Sequence, residues 1–210
     1  MERLKDRVAL VTGAGQGMGL AIGHACAREG AKIAVVDIND QTIASAVEEI
    51  KQKERTDALG VKIDITQGSQ VEAGVKRILD TWGRIDLLVN CAGGSLNTPY
   101  KLDEIQEKHW DLVVDVNLKG TFLCCQQVLP QMVKQKSGAV VNISALAGHW
   151  RASLAGVQYT AAKAGIEGLT RQLAYDFGPY GIRVNAVAPT VSMTSQRMQD
   201  LWDARGKEEQ

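Results

Sequence analysis

The sequence predicts an α/β fold: a single doubly wound domain with a mostly parallel sheet. Three observations lead there. Short apolar runs alternate with helical patterns from one end of the chain to the other. Several of those runs are apolar without a break, as strands covered on both faces require. A glycine-rich turn follows the first run directly and opens the first helical pattern. The 210 residues, 45 % of them hydrophobic, fill one well-packed domain, and no linker, repeat or low-complexity stretch divides them.

The elements follow in order. The run Val8-Ala9-Leu10-Val11-Thr12 predicts the first strand, and the glycines after it open a helix over 17–29. A second strand over 33–37 ends on Asp37, and Asn39 or Asp40 suits the N-cap of a helix over 40–53. The third strand is predicted over 61–64 and its helix over 70–82. The fourth strand falls at 87–90, followed by one long helix over 107–134. The fifth falls at 140–144 with a helix over 156–177, and the sixth at 184–188. Right-handed crossovers place the helices on both sides of the sheet. The segment 195–210 is polar with a few apolar residues, a short helix or disorder.

Bulk properties narrow the function. Lys plus Arg and Asp plus Glu each number 24, so no charge excess points to nucleic acid or a membrane surface. No apolar run is long enough to span a bilayer. The charged start Met1-Glu2-Arg3-Leu4-Lys5-Asp6-Arg7 runs straight into a strand, unlike a signal peptide. Cys26, Cys91, Cys124 and Cys125 have no metal-ligand spacing and read as reduced, buried thiols of a cytoplasmic protein without a metal.

Two motifs carry chemistry. Gly13, Gly17 and Gly19 form G-x-x-x-G-x-G at a strand-to-helix turn, where a backbone free of Cβ atoms and a helix N-terminus suit a pyrophosphate. Asp37, at the end of the second strand, is placed to accept from the ribose hydroxyls of an adenosine, with capping of the next helix as its other reading. Far along the chain, Tyr159 and Lys163 share a helix face four residues apart. There the ammonium should pull the phenol down toward the range of a general base. Together the two motifs point to hydride transfer at a nicotinamide.

These residues resemble the short-chain dehydrogenase/reductase family over nearly the whole chain. Residues 12–19 look like its T-G-x-x-x-G-x-G, Asp64-Ile65-Thr66 its acid after the third strand, and Asn90-Cys91-Ala92-Gly93 its N-N-A-G with Cys for the second Asn. Asn117-Leu118-Lys119-Gly120 is similar to N-x-x-G, Tyr159-Thr160-Ala161-Ala162-Lys163 to Y-x-x-x-K, and residues 183–189 to the strand leading under the nicotinamide. The resemblance implies a Rossmann domain and an NAD-dependent oxidoreductase that interconverts a secondary alcohol and a ketone. It implies a homodimer or homotetramer acting on a small molecule. The cofactor would meet Gly13, Gln16, Gly17, Met18, Gly19, Asp37, Ile38, Asp64, Ile65, Asn90, Ala92, Gly93, Tyr159, Lys163, Pro189, Ser192 and Thr194. Tyr159 would be the acid/base, Lys163 would lower its pKa and hold the nicotinamide ribose, and Asn117 would anchor a water linking Lys163 to solvent.

The fourth catalytic member departs from the pattern. The family writes N-x-S-S-x-x-G, and its second Ser polarises the substrate oxygen; here Asn142-Ile143-Ser144-Ala145-Leu146-Ala147-Gly148 puts Ala145 there. Either a local shift brings Ser144 into the site, or another donor replaces it, or the chain is a weakened variant; Ser144 is the candidate. Thr190 stands where many members have Gly, while Thr194 keeps the spacing of P-G-x-x-x-T. Members usually continue with a helix and a seventh strand; no apolar strand follows Ala188, so the expected sheet lacks that last strand. These departures favour, as the alternative function, an NAD(H)-binding protein with weak or no turnover; a dehydratase or epimerase shares the Tyr-Lys helix. Gly94, Ser95, His149, Trp150 and Gln158 are placed near the substrate pocket.

Overall fold

The fold is that of a computed structural model, which describes residues 2–151 and 155–190. Strand β1 (Val8–Thr12) is buried at all five positions. It is followed by α1 (Gly17–Arg28), β2 (Lys32–Asp37), α2 (Asp40–Glu54), β3 (Ala58–Lys62), α3 (Gly68–Trp82) and β4 (Leu87–Asn90). Next come α4 (Glu107–Val114), a π-helical turn (Asp115–Lys119), α5 (Gly120–Gln135), β5 (Gly138–Ile143), α6 (Val157–Phe177) and β6 (Ile182–Val187). The six strands pair in the order β3-β2-β1-β4-β5-β6. Every pair is parallel, so the expected sheet is found and is parallel throughout the described residues.

The strand order reverses direction between β1 and β4, and the crevice at their C-terminal ends is where an open α/β sheet binds ligands. Alternation along β1 builds both faces. Val8 and Leu10 join a core with α3 and α5 residues such as Val71, Ile78, Val128 and Met132. Ala9 and Val11 join a second core with Cys26 and Ala27 of α1 and Ile43, Ala46 and Ile50 of α2. The unbroken apolar runs read in the sequence are the result of that two-sided burial.

Two elements differ from expectation. β3 occupies Ala58–Lys62 rather than 61–64, paired from Ile33↔Ala58 to Asp37↔Lys62. Gly60, a poor strand former, hides its start, and a Cβ there would strike Ile43 of α2. Asp64 lies beyond the strand, its carboxylate accepting from Thr66 N (2.9 Å) and Thr66 Oγ1 (2.7 Å) to turn the chain. The long helix expected over 107–134 is two helices joined by the π-helical turn, a local widening often found at functional sites. The remaining boundaries shift by at most two residues. All four cysteines are free thiols, Cys91 half-buried and the others buried.

Candidate active site

The glycine turn is built by close approach. Gly13 and Gly17 have φ of +65° and +57°, open to glycine and unfavourable for other residues. A Cβ on Gly13 would come within 2.8 Å of Ala92 Cα, and one on Gly19 would strike the Gly13 carbonyl. Thr12 fastens the turn to β4, its Oγ1 accepting from Cys91 N (3.0 Å) and Ala92 N (3.1 Å). Gln16 is the N-cap of α1 and makes no side-chain cap bond, so the first amides of the helix, at Gly17, Met18 and Gly19, are left for a ligand. A narrow turn that no Cβ can enter, ending in free N–H groups, fits a dinucleotide pyrophosphate.

Asp37 does not cap α2. Asn39 does, accepting from Gln41 N (2.9 Å) and Thr42 N (3.2 Å). The Asp37 carboxylate instead accepts from Gly15 N (3.0 Å) and Ile38 N (2.8 Å), tying β2 to the glycine turn. Beside it Ile38 is exposed, an apolar surface at the mouth of the crevice. Ile65, next to Asp64, is buried and packs under Gly120.

Asn90 faces inward. Its Nδ2 donates to Asn142 Oδ1 (2.8 Å), Asn142 Nδ2 donates to Thr170 Oγ1 (2.9 Å), and Thr170 Oγ1 donates to Ile166 O (2.7 Å). This string bolts β4 and β5 to α6 through Asn90 Nδ2, while Asn90 Oδ1 is buried without a partner among the described residues. Ala92 is half-buried, and Gly93 and Gly94 have φ of +145° and +139°.

On α6, Lys163 is 4 % exposed. Its Nζ donates to Ile143 O (2.7 Å) and lies 5.5 Å from the centre of the Tyr159 ring. Burial pulls the Lys163 ammonium down to about 8, partly offset by the nearby Cys91 thiol. Burial pushes the Tyr159 phenol above its ordinary value, and the neighbouring ammonium does not reverse this. The expectation that Lys163 lowers the phenol is therefore corrected: both groups lose hydration, and each is driven toward its neutral form.

Asn117, wholly buried in the π-helical turn, holds Gly94 from both sides. Its Oδ1 accepts from Gly94 N (3.0 Å) and its Nδ2 donates to Gly94 O (2.9 Å) and Val113 O (2.8 Å). Its own carbonyl accepts from Thr121 Oγ1 (2.7 Å), so its side chain fixes the loop after β4.

Ser144 goes elsewhere. Its hydroxyl donates to Glu167 Oε1 (2.9 Å) and lies 3.2 Å from Lys163 O. Pairing of β5 with β6 runs without a bulge from Gly138↔Ile182 to Ile143↔Val187, and Ser144 N continues it to Val187 O (2.9 Å). The local shift that would turn Ser144 into the site is absent, which corrects its placing as the fourth member. Ala145 follows in extended conformation (φ −160°, ψ 160°) and carries no hydroxyl.

Sequence reasoning misses Glu167, which binds Ser144 and His149 Nδ1 (3.1 Å). Its place one turn beyond Lys163 is the available signal. It also misses Thr12 as the clasp. Of the pocket candidates, His149 and Trp150 are exposed and Gln158 is 1 % exposed. Pro189 O accepts from Leu146 N (3.0 Å), joining the loops after β5 and β6, while Ser192 and Thr194 lie outside the described residues. Among the described residues no group of three or more His, Cys, Asp or Glu side chains could hold a metal, and no helix is long and apolar enough to cross a membrane.

Strand order and glycine cradle define a dinucleotide-binding α/β protein of the Rossmann type. The chain belongs to the short-chain dehydrogenases: the family model described as short chain dehydrogenase matches residues 7–205. It is 38 % identical over 207 residues to a (2S)-[(R)-hydroxy(phenyl)methyl]succinyl-CoA dehydrogenase subunit of Thauera aromatica, covering 99 % of this chain and 79 % of the relative. It is 38 % identical over 202 residues to a 3-oxoacyl-[acyl-carrier-protein] reductase of Staphylococcus epidermidis, covering 94 % and 81 %. Among solved structures, an NAD+-bound xylitol dehydrogenase superposes with a TM-score of 0.89 at 29 % identity, covering 95 % of this chain and 75 % of that one. The protein is thus a short-chain oxidoreductase that takes a nicotinamide cofactor.

Proposed function

We propose that this oxidoreductase uses NAD to interconvert a secondary alcohol and a ketone. The observation that carries the reading is that both motifs sit at the C-terminal ends of neighbouring strands. Thr12, at the end of β1, holds Cys91 and Ala92 just after β4, and Lys163 Nζ donates to Ile143 O at the end of β5, the next strand beyond β4. The cradle and the Tyr159–Lys163 face are therefore two walls of one crevice.

In this reading the amides of 17–19 hold the pyrophosphate, with Gly13 and Gln16 shaping the turn. Asp37 and Ile38 meet the adenosine ribose, and Asp64 and Ile65 border the adenine. The backbone of Asn90, with Ala92, Gly93 and Pro189, lines the nicotinamide side, joined by Ser192 and Thr194. Bound there, the nicotinamide carries the hydride. Tyr159 holds or moves the hydroxyl proton, Lys163 supplies positive charge beside it, and Asn117 keeps Gly93 and Gly94 in shape. The Asp37 carboxylate favours NAD, because it would repel a phosphate on the 2′ position. The relatives' names, a hydroxyacyl-CoA dehydrogenase subunit, a 3-oxoacyl reductase and a xylitol dehydrogenase, all fit secondary carbinol chemistry. A homodimer or homotetramer in the cytoplasm completes the reading; exposed Trp110, Leu112 and Phe122 on α4 and α5 offer apolar surface for it.

A second reading is a member that holds NAD(H) with little turnover. The bonded Ser144 hydroxyl and the bare Ala145 favour it. One experiment separates the two. NADH and NADPH are titrated by nicotinamide fluorescence, and absorbance is followed with secondary alcohols, polyols and 3-oxoacyl thioesters. Turnover that falls roughly 10²–10⁴-fold in Tyr159→Phe, with NADH affinity kept, supports the dehydrogenase. NADH binding without turnover on any class supports the second reading, and tighter binding of NADPH sinks the NAD assignment.

A further inference from the structure

The loop after β4 is strained. Gly93 and Gly94 have φ of +145° and +139°, and two non-glycine residues follow in the left-handed region, Leu96 at +53° and Asn97 at +59°. Asn tolerates that region; Leu costs about 1–2 kcal/mol there. The segment from Ser95 closes as a tight turn, with Thr98 N and Thr98 Oγ1 both donating to Ser95 O, at 3.0 and 2.7 Å. Two left-handed central residues are the pattern of a type I′ turn. Such a turn outside a hairpin needs outside support.

That support comes from two helices. Asn117 grips the loop at Gly94. Gln158, on the first turn of α6 and next to Tyr159, grips the other end: its Nε2 donates to Thr98 Oγ1 (3.0 Å) and Pro99 O (2.9 Å). The Pro99 carbonyl can only accept, which fixes the orientation of the Gln158 amide. Gln158 is 1 % exposed, and its Oε1 has no partner among the described residues. A buried amide with an orphan acceptor costs about 1–3 kcal/mol relative to a satisfied group, a cost that its two donated bonds must offset. What the amide does supply is two donors aimed at a strained turn one residue from the proposed acid/base.

We infer that Gln158 is a positioning residue that pins the turn over 95–98 to the base of α6, fixing the wall of the substrate cleft beside Tyr159. The inference rests on the reading of Tyr159 as the acid/base. It sets Gln158 apart from the cofactor machinery: the cradle at 13–19 and Asn117's hold on Gly94 do not depend on it.

Three variants test it, read by hydrogen–deuterium exchange of the peptide over 93–101, by NADH fluorescence titration, and by kcat and KM on the best substrate of the alcohol and ketone panel. Gln158→Leu removes both donors. Gln158→Glu keeps the shape and sets a carboxylate against the Pro99 carbonyl. Thr98→Val removes one of the two bonds from Gln158 and also the hydroxyl's own bond to Ser95 O. Losing two bonds of about 1 kcal/mol each should speed exchange at 93–101 roughly tenfold or more in the Leu variant. The gain should be less in Gln158→Glu, which loses the bond to Pro99 O but can still accept from the Thr98 hydroxyl. Thr98→Val, which also loses the bond to Ser95 O, should exchange at least as fast as Gln158→Glu. Exchange over 13–19 and NADH affinity should stay at parent values, while KM rises more than kcat falls. If Gln158→Leu does not fold, exchange in Gln158→Glu decides the matter, because Thr98→Val also breaks the bond to Ser95 O. Unchanged exchange at 93–101 in the folded variants overturns the inference, as does a loss of NADH affinity that matches the loss of substrate use. A parent that binds NADH yet turns over nothing removes the acid/base reading, and the exchange measurement then still decides whether Gln158 holds the turn.

Discussion

The crevice has two walls, and they are held in different ways. The wall formed by β1, α1 and β2 is shaped by backbone: positive-φ glycines, a Gly19 that abuts the Gly13 carbonyl, and amides left free at a helix start. The wall formed by β4, β5 and α6 is shaped by buried side chains: the Asn90–Asn142–Thr170 string, Asn117 on Gly94, Ser144 on Glu167 and Lys163 on Ile143. A backbone cradle tolerates little change because the offending atom would be a Cβ. A side-chain wall can exchange one polar group for another, so chemistry can be gained or lost there while the pyrophosphate seat stays the same.

Ala145→Ser tests that independence with the largest expected effect. Position 145 follows a regular strand end, and its neighbour Ser144 is turned to Glu167, so a hydroxyl at 145 would lie on the other side, toward the crevice. One well-aimed donor to a developing oxyanion is worth about 2.7–4 kcal/mol, roughly a hundred- to a thousandfold in rate. Turnover by Ala145→Ser should rise by up to that factor, with NADH affinity as in the parent. A gain in NADH affinity of the same size would mean the two walls are not independent.

The same division explains how much of the molecule is legible in its sequence. The cradle is legible because only glycine fits its turns, and strand, glycines, helix, strand and acid arrive in order. Asp37 is legible as a non-cap only in part, since Asn39 is an equal candidate in the sequence; the structure gives Asn39 the cap. On the other wall, spacing finds Tyr159 and Lys163 but misjudges their electrostatics, because spacing says nothing of the burial that raises one pKa and lowers the other. Ser144 is misplaced because its role depends on which face of β5 meets α6, a tertiary fact. The π-helical turn at Asn117 leaves no mark in a helical hydrophobic pattern, and Gly60 conceals the start of β3.

Lys163→Met probes what the side-chain wall costs. The ammonium titrates near 10.5 in an unfolded chain and at about 8 in place. Between those values the unfolded chain binds the proton and the folded one does not, so stability of the parent should rise as pH goes from 8 to 10.5. Below pH 8 both states are protonated and the full penalty of burying the charge is present. Removing it should stabilise the protein at neutral pH, on the order of 1–2 kcal/mol after loss of the bond to Ile143 O. The variant should also lose the alkaline rise and lose turnover. Thermal melts at pH 7 and pH 10 check this; a variant melting well below the parent at pH 7 would show that the bond to Ile143 outweighs the burial.

The smallest effect is expected at Ser144. Its hydroxyl is 1 % exposed as part of the residue and is bonded to a carboxylate that has a second partner in His149. In Ser144→Ala the Glu167 carboxylate keeps His149 and remains partly open to water, so no charge is stranded. The loss should be that of one hydrogen bond to a partly solvated acceptor, about 0.5–1.5 kcal/mol, seen as a modest drop in melting temperature. Turnover and NADH affinity should stay near the parent, because the hydroxyl faces Glu167 and the carbonyl of Lys163 rather than a substrate. Abolished turnover in Ser144→Ala, together with no gain in Ala145→Ser, would show that the strand end rearranges when substrate binds and brings Ser144 to the substrate oxygen. The side-chain wall would then be the mobile one, and the comparison between the two walls would become one of motion as well as of construction.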